Sequence, residues 1–234
     1  ALYAAAVFVF WGVPLLLFGV RGFSGLSDAF WWGPLGASLA LAMSVGALAT
    51  ALAFALCYGA RGWGPWAKRT IAWLATVPLG VSSILLLLGW RLAFPEWLYS
   101  DSGRWLGVVL AQSLLAVPLA IRPLHQGFER LPEVWYRVSR NLGATPWQVL
   151  RWVEWPALRP AVGLAFLLGA ALSLGETGST LLFPAQSTQN LTYVIYHSMA
   201  RYRFEQAYAG ALVLLGLTAV LALLLSRLER GRAL

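Results

Sequence analysis

The chain has 234 residues, of which 59% are hydrophobic and only 11% charged, with a net charge of +8. Soluble globular domains carry about 25% charged residues, so this composition excludes one and points to a polytopic membrane protein. The basic residues lie between apolar runs and not along one basic face interleaved with aromatics, which argues for membrane lipid and against nucleic acid as a partner.

Six apolar runs are long enough to span a bilayer, given the roughly 17–25 residues a spanning helix needs. They are Leu2–Val20, Leu35–Tyr58, Ile71–Phe94, Trp105–Ile121, Ala161–Leu182 and Ala207–Leu225. The first is longer than a signal-peptide core of about 7–15 residues and follows no Met or basic segment. The expectation is a trimmed sequence or the later part of a longer chain. With a cytoplasmic N-terminus, the inner side carries Arg61, Lys68, Arg69, the six arginines between Arg122 and Arg159, and Arg227, Arg230 and Arg232. The outer side keeps Arg21, Arg91, Arg104, Arg201 and Arg203. The positive-inside rule therefore predicts both ends of this segment to be cytoplasmic. Trp31, Trp32, Trp63, Trp66, Trp97 and Trp105 fall near span ends, as an interfacial aromatic belt would place them.

The one long polar interval lies between the fourth and fifth runs, at about 124–159, and its punctuation predicts a helical hairpin. Pro132 suits the first turn of a helix over Glu133 to Leu142, and Gly143 is the residue expected just past its end. Thr145 is a predicted N-cap, with Pro146 in the first helical position and Gln148 completing a capping box. Pro156 is expected to close this second short helix, and Pro160 to open the next apolar run.

Catalytic chemistry has little to rest on. There is no phosphate-binding glycine loop and no Ser–His–Asp arrangement on one face, so an enzyme is not expected. Cys57 lies in an apolar run and allows no intramolecular disulfide. His125 and His197 fall on opposite sides and cannot share a metal, so no metal site is expected. The informative acid is Glu176, in SLGETGSTLLF near the outer end of the fifth run. A carboxylate in hydrocarbon is costly and would face a bundle interior or a water-filled path. Gly175 and Gly178 beside it allow close helix approach or a local break in the helix. The alternative is that the span ends at Leu174 and Glu176 is solvated. The polar stretch after it, with Tyr193, Tyr196, Tyr202, Arg201 and Arg203, suits either a lid or docking surface or interfacial anchoring.

The segment RVSRNLGATPWQVLRWVEWPALRP resembles the cytoplasmic signature loop of permease subunits of binding-protein-dependent ABC importers. That pattern reads Glu-Ala-Ala, a few residues, Gly, then about ten residues to a hydrophobic–Pro pair. Gly143 matches the glycine, and Trp155–Pro156 stand at the closing pair. Arg137, Val138 and Ser139 occupy the Glu-Ala-Ala positions, so the family's glutamate is replaced. The resemblance continues through LGETGSTLLF and NLTYVIYHSMARYRFEQAYAGALVLL, and more weakly through VPLGVSSILLLLG. Within the family it is most similar to the second half of the two-fold-repeated thiamine and ferric-iron permeases.

The resemblance implies an all-α fold of the type I importer permease kind, a single six-span domain over 1–234 with a cytoplasmic coupling-helix hairpin. It implies a location in a bacterial-type inner membrane. The expected partners are a cytoplasmic ATPase dimer, an extracytoplasmic solute-binding protein and the other six-span half, fused or separate. No cofactor is expected on this chain, because ATP and Mg belong to the ATPase. Glu133, Arg137, Val138, Ser139, Arg140, Leu142, Gly143, Ala144, Pro146 and Pro156 would form the ATPase-coupling surface. Glu176, Gly175, Gly178 and Thr180 would line the path or gate. Thiamine is the favoured cargo, ferric iron the second, and an oxyanion such as molybdate or sulfate the third. A non-transporting membrane assembly factor is the rival from another class.

Overall fold

The computed structural model describes residues 12, 20–22, 31–60, 66, 69–70, 73, 80–183 and 189–230, with side chains through Arg227. Among them the regular structure is helical, with no strand. The predicted first span lies almost wholly outside the described residues, as does the first half of the third.

Helix α1 (Trp32–Gly59) contains the predicted second span. Its buried residues recur every three or four positions, from Pro34 through Ser38, Leu41, Val45, Ala49 and Ala53 to Cys57, which is one face of an α-helix. Helix α2 (Ser83–Ala93) starts from Ser82, whose hydroxyl accepts from the Ile84 amide. The short α3 (Pro95–Tyr99) turns the chain into α4 (Asp101–Glu129), capped in the same way by Ser100. Helix α4 runs well past the predicted Trp105–Ile121 at both ends. Pro118 and Pro123 sit inside it without ending it, since packed neighbours stabilise a helix against a missing amide donor. The polar hairpin consequently begins at Arg130 and not near residue 124.

Helix α5 (Glu133–Asn141) and the single turn α6 (Pro146–Val149) form the hairpin. The chain then passes without interruption through a π-helical turn, Leu150–Glu154, into α7 (Trp155–Gly175). This corrects the expectation that Pro156 ends one helix and Pro160 starts another. In the π turn the Trp155 amide donates to the Leu150 carbonyl, five residues back. The widened turn makes room for the Pro156 ring, which then occupies the first turn of the following α segment.

After a break at Glu176–Thr177 comes the short α8 (Gly178–Leu182), then α9 (Leu191–Ala200) and α10 (Phe204–Arg230). Tyr202, between α9 and α10, has φ 59°, a left-handed conformation unusual for a tyrosine. It ends α9 as a glycine commonly would, with the Arg203 amide donating to the Ser198 carbonyl at 2.9 Å. Among the described residues four helical stretches are long and apolar enough to cross a membrane: Trp32–Gly59, Asp101–Glu129, Pro146–Gly175 and Phe204–Arg227.

The core is the mutual packing of α1, α4 and α7, with Leu41, Val45 and Ala49 meeting Val108, Val109, Ala116, Ala161 and Ala165. Lipid offers helices no hydrophobic drive to associate, so close backbone approach matters. Gly46 and Gly169 supply it. A Cβ on Gly169 would stand 3.1 Å from the Gly46 Cα, and one on Gly46 would stand 2.8 Å from the Phe166 carbonyl oxygen. Helices α9 and α10 pack around Trp31, Leu191, Val194 and Ala209. Trp31 is thus a core residue and not part of an interfacial belt, whereas Trp32 and Trp66 are largely exposed.

Candidate functional site

The hairpin is rigid for reasons visible atom by atom. Gly143 has φ +76°, and the amides of Gly143 and Ala144 donate to the carbonyls of Arg140 and Ser139 at 3.0 Å. These are the paired bonds of a Schellman cap, whose left-handed residue is glycine because a side chain there is strained. Two residues later the predicted capping box forms. The Thr145 amide donates to Gln148 Oε1 at 2.8 Å, and the Gln148 amide donates to Thr145 Oγ1 at 3.4 Å. Of the predicted coupling residues, Ser139 donates to the Trp135 carbonyl at 2.7 Å, and Arg137 pairs with Glu133 at 3.0 Å. Both members of that pair are more than 70% exposed, so it adds little to stability.

No residue of α5 is buried. Val134, Val138 and Leu142, spaced four apart, form an exposed apolar stripe with Trp135 beside it, and Leu142 is 80% exposed. Glu133, Arg137 and Arg140 lie on the other flank of the helix. Trp147 and Trp152 extend the exposed apolar surface onto the next helix. Ala144 is half-buried, while Pro146 and Pro156 are exposed. The base of α7 is fixed by Trp155, edge-on to Phe54 of α1 at 6.4 Å, and Phe54 also meets Phe128 of α4.

The far end of α7 carries the second feature. Helix α7 stops at Gly175, and Glu176 takes an extended conformation (φ −85°, ψ 119°). Its carboxylate is half-buried and fully engaged in hydrogen bonds. Oε1 accepts from Ser83 Oγ at 2.6 Å and from the Gly178 amide at 3.1 Å. Oε2 accepts from Gln112 Nε2 at 3.0 Å, from the Ser179 amide at 3.3 Å and from the Ser179 hydroxyl. Gln112 is fully buried. Its amide nitrogen also donates to Ser179 Oγ at 2.9 Å, and its oxygen accepts from Ser173 Oγ at 2.6 Å. One carboxylate and one carboxamide thereby tie α2, α4, α7 and α8 together around a helix break.

The predicted neighbours of Glu176 divide. A Cβ on Gly178 would meet the Ile84 side chain at 2.8 Å, so this glycine is where α8 approaches α2. A Cβ on Gly175 would meet nothing within 4 Å, so its role in close helix approach is not realised here. Thr180 is buried, but its hydroxyl donates to the Thr177 carbonyl at 3.0 Å and does not join the carboxylate. Ser83, Gln112, Ser173 and Ser179 were not foreseen. A carboxamide in the middle of the fourth span was the available signal, because an amide in hydrocarbon needs partners.

Elsewhere, His125 lies 3.5 Å from Glu129 and His197 stacks on Tyr193. No group of three or more His, Cys, Asp or Glu side chains placed to hold a metal occurs among the described residues.

The described helices thus form an apolar bundle with an exposed capped hairpin before α7 and a polar network around the helix break after it. The chain belongs to the family described as "Binding-protein-dependent transport system inner membrane component", which residues 51–232 match. It is 30% identical over 194 residues to the thiamine transport system permease protein ThiP of Haemophilus influenzae, covering 81% of this chain and 36% of that protein. The ThiP of Brucella abortus is 28% identical, with 88% and 38% covered. The chain thus spans little more than a third of the length of these curated relatives. PhnV of Salmonella typhimurium, named for 2-aminoethylphosphonate transport, is 25% identical, with 85% of this chain and 75% of that protein covered. Among solved structures, a bacterial alginate ABC transporter in complex with an alginate-bound periplasmic protein aligns with a TM-score of 0.72 at 12% identity, covering 98% of this chain and 92% of that one. An amino acid ABC transporter aligns with a TM-score of 0.58 at 17% identity, covering 94% and 97%. The type I permease fold expected from the sequence is the fold found. Ferric iron finds no support among the relatives named here.

Proposed function

We propose that this chain forms one half of the transmembrane pathway of an ATP-driven importer. It would accept a small solute from an extracytoplasmic binding protein and release it to the cytoplasm by alternating access, with thiamine the favoured cargo. On this proposal the hairpin end is cytoplasmic and α5 seats in a cytoplasmic ATPase dimer, which holds ATP and Mg. The observation that carries it is the unbroken helix from Pro146 to Gly175, a lever of 30 residues or about 45 Å. One end is the exposed Schellman-capped hairpin, and the other end is the Glu176 network.

Displacement of α5 would be transmitted through the capped turn and along α7, because neither Gly143 nor the capping box leaves slack. At the far end the helix break at Glu176–Thr177 lets α8 move with α2 or separate from it. Rearranging that network is the proposed gating event. Glu176 also suits a cationic solute such as thiamine, since a carboxylate held by hydroxyls and an amide is the one acidic group in this network. The relative named for 2-aminoethylphosphonate supports a second cargo class, small molecules carrying both an amine and an oxyanion.

The test is uptake into sealed vesicles by the intact importer with its ATPase and binding protein. Labelled thiamine, 2-aminoethylphosphonate and ferric iron would be offered separately, with and without ATP. ATP-dependent thiamine accumulation, reduced at least tenfold in Glu176→Leu while the ATPase stays bound, is expected. Uptake of 2-aminoethylphosphonate or iron instead would replace the cargo and keep the mechanism. Full thiamine uptake by Glu176→Leu would remove Glu176 from the gate.

A further inference from the structure

Helix α5 presents two chemically distinct stripes, and no residue of either is buried. Val134, Val138 and Leu142 make the apolar one. Glu133, Arg137 and Arg140, at spacings of four and three, make the charged one. Glu133 is the only acid in the helix. The Arg140 side chain forms no ion pair or hydrogen bond among the described residues.

We propose that the ATPase cleft receiving α5 presents carboxylates opposite Arg137 and Arg140, and that this contact selects the matching ATPase. The proposal rests on the seating of α5 in an ATPase put forward above. The apolar stripe places three branched side chains one turn apart, the pattern by which an amphipathic helix enters an apolar groove. Such a ridge suits any groove of the right width, so discrimination between grooves falls to the charges beside it.

The arginines are available for that task. Arg137 Nη2 lies 3.0 Å from Glu133 Oε1, but both side chains are more than 70% exposed. Water screens such a pair, and it leaves most of a five-donor guanidinium unused. A partner carboxylate brought in as the interface closes meets Arg137 with less water around it and displaces Glu133. Arg140 needs no exchange, because its planar fork is free to take a carboxylate with two parallel bonds. The two arginines stand three residues apart, about 4.5 Å along the axis, so a single acidic edge of the cleft reaches both. Arg137 also stands where the signature pattern reads glutamate. A cleft with a base opposite that position would repel this helix, and a cleft with an acid there would repel the glutamate. The reversal therefore separates this permease from ATPases matched to the common pattern.

The test measures binding of the labelled, nucleotide-free ATPase to the full-length permease in phosphatidylcholine nanodiscs, at about 50 and 500 mM salt. Wild-type binding should weaken severalfold at the higher salt. The double variant Arg137→Glu, Arg140→Glu should bind about tenfold or more weakly at low salt and lose that salt dependence. Leu142→Ser should weaken binding equally at both salts, because it removes apolar contact alone. Glu133→Gln separates recognition from helix stability. It removes the acid that competes for Arg137, so binding tightens; if these charges only stabilised α5, losing an acid from the first turn would weaken it. With no α5 residue buried, all these variants leave the bundle packing intact. Salt-independent wild-type binding, unchanged binding by the double variant, or weaker binding by Glu133→Gln overturns the acidic cleft. Weakening by Leu142→Ser alone would overturn it and keep the importer reading. No binding by the wild-type permease at either salt would remove the α5 seat itself, and this proposal with it.

Discussion

Gln112→Leu is the sharpest perturbation of the polar network. The substitution keeps side-chain volume roughly constant in a position that is fully buried. It removes three hydrogen bonds: to Glu176 Oε2, to Ser179 Oγ and from Ser173 Oγ. Hydrogen bonds between membrane helices average about 0.6 kcal/mol, with a maximum near 1.7 kcal/mol, so three give about 2 kcal/mol. The bond to the carboxylate is charge-assisted and belongs near the upper value, which raises the expected loss to about 3 kcal/mol. Ser173 can recover part of this by turning its hydroxyl to a carbonyl one helical turn back. Equilibrium unfolding of the purified importer in mixed micelles measures the loss. Ser173→Ala alone and with Gln112→Leu completes a double-mutant cycle, with an expected coupling of about 0.6–1.7 kcal/mol. A loss below about 0.5 kcal/mol together with no coupling would refute the network as a structural tie across the break.

Gly143→Val forces a β-branched side chain into a left-handed conformation, at a cost of roughly 1–3 kcal/mol confined to the hairpin. Substrate-stimulated ATP hydrolysis should fall severalfold while the membrane bundle keeps its unfolding midpoint, and unchanged stimulation would end the lever account. Gly169→Val should act in the opposite way. Its side chain would press on Gly46 and Ala49 where α1 and α7 touch, so a loss of about 3 kcal/mol or more and poor recovery of folded protein are expected, read by size-exclusion chromatography.

The hairpin was legible in the sequence because its determinants are local. Gly143, Thr145, Pro146 and Gln148 act on backbone groups within a few residues, and the conformations they dictate are the ones found. The same local reasoning misplaced Pro156, because a π turn one step upstream absorbs the ring and the helix, packed against α1 and α4, continues through it. Whether a proline ends a helix depends on neighbours that sequence spacing does not show.

Membrane character, the spans seen in α1, α4, α7 and α10, and the type I fold followed from hydropathy and from the family pattern, since the bilayer imposes length and apolarity on each crossing by itself. What α1, α4 and α7 do to one another required tertiary structure. Trp31 reads as an interfacial residue until Leu191 and Ala209 are seen to cover it. Glu176 reads as a pathway acid, with a solvated one as the alternative, and the sequence does not show that Ser83 and Gln112, 93 and 64 residues away, lie on its oxygens. The sequence by itself determined what the bilayer and the local backbone dictate, and only the tertiary structure decided which distant polar groups satisfy one another. The reason is that a buried polar group is stabilised by whatever partner the fold brings near, and that partner leaves no periodic trace in the chain.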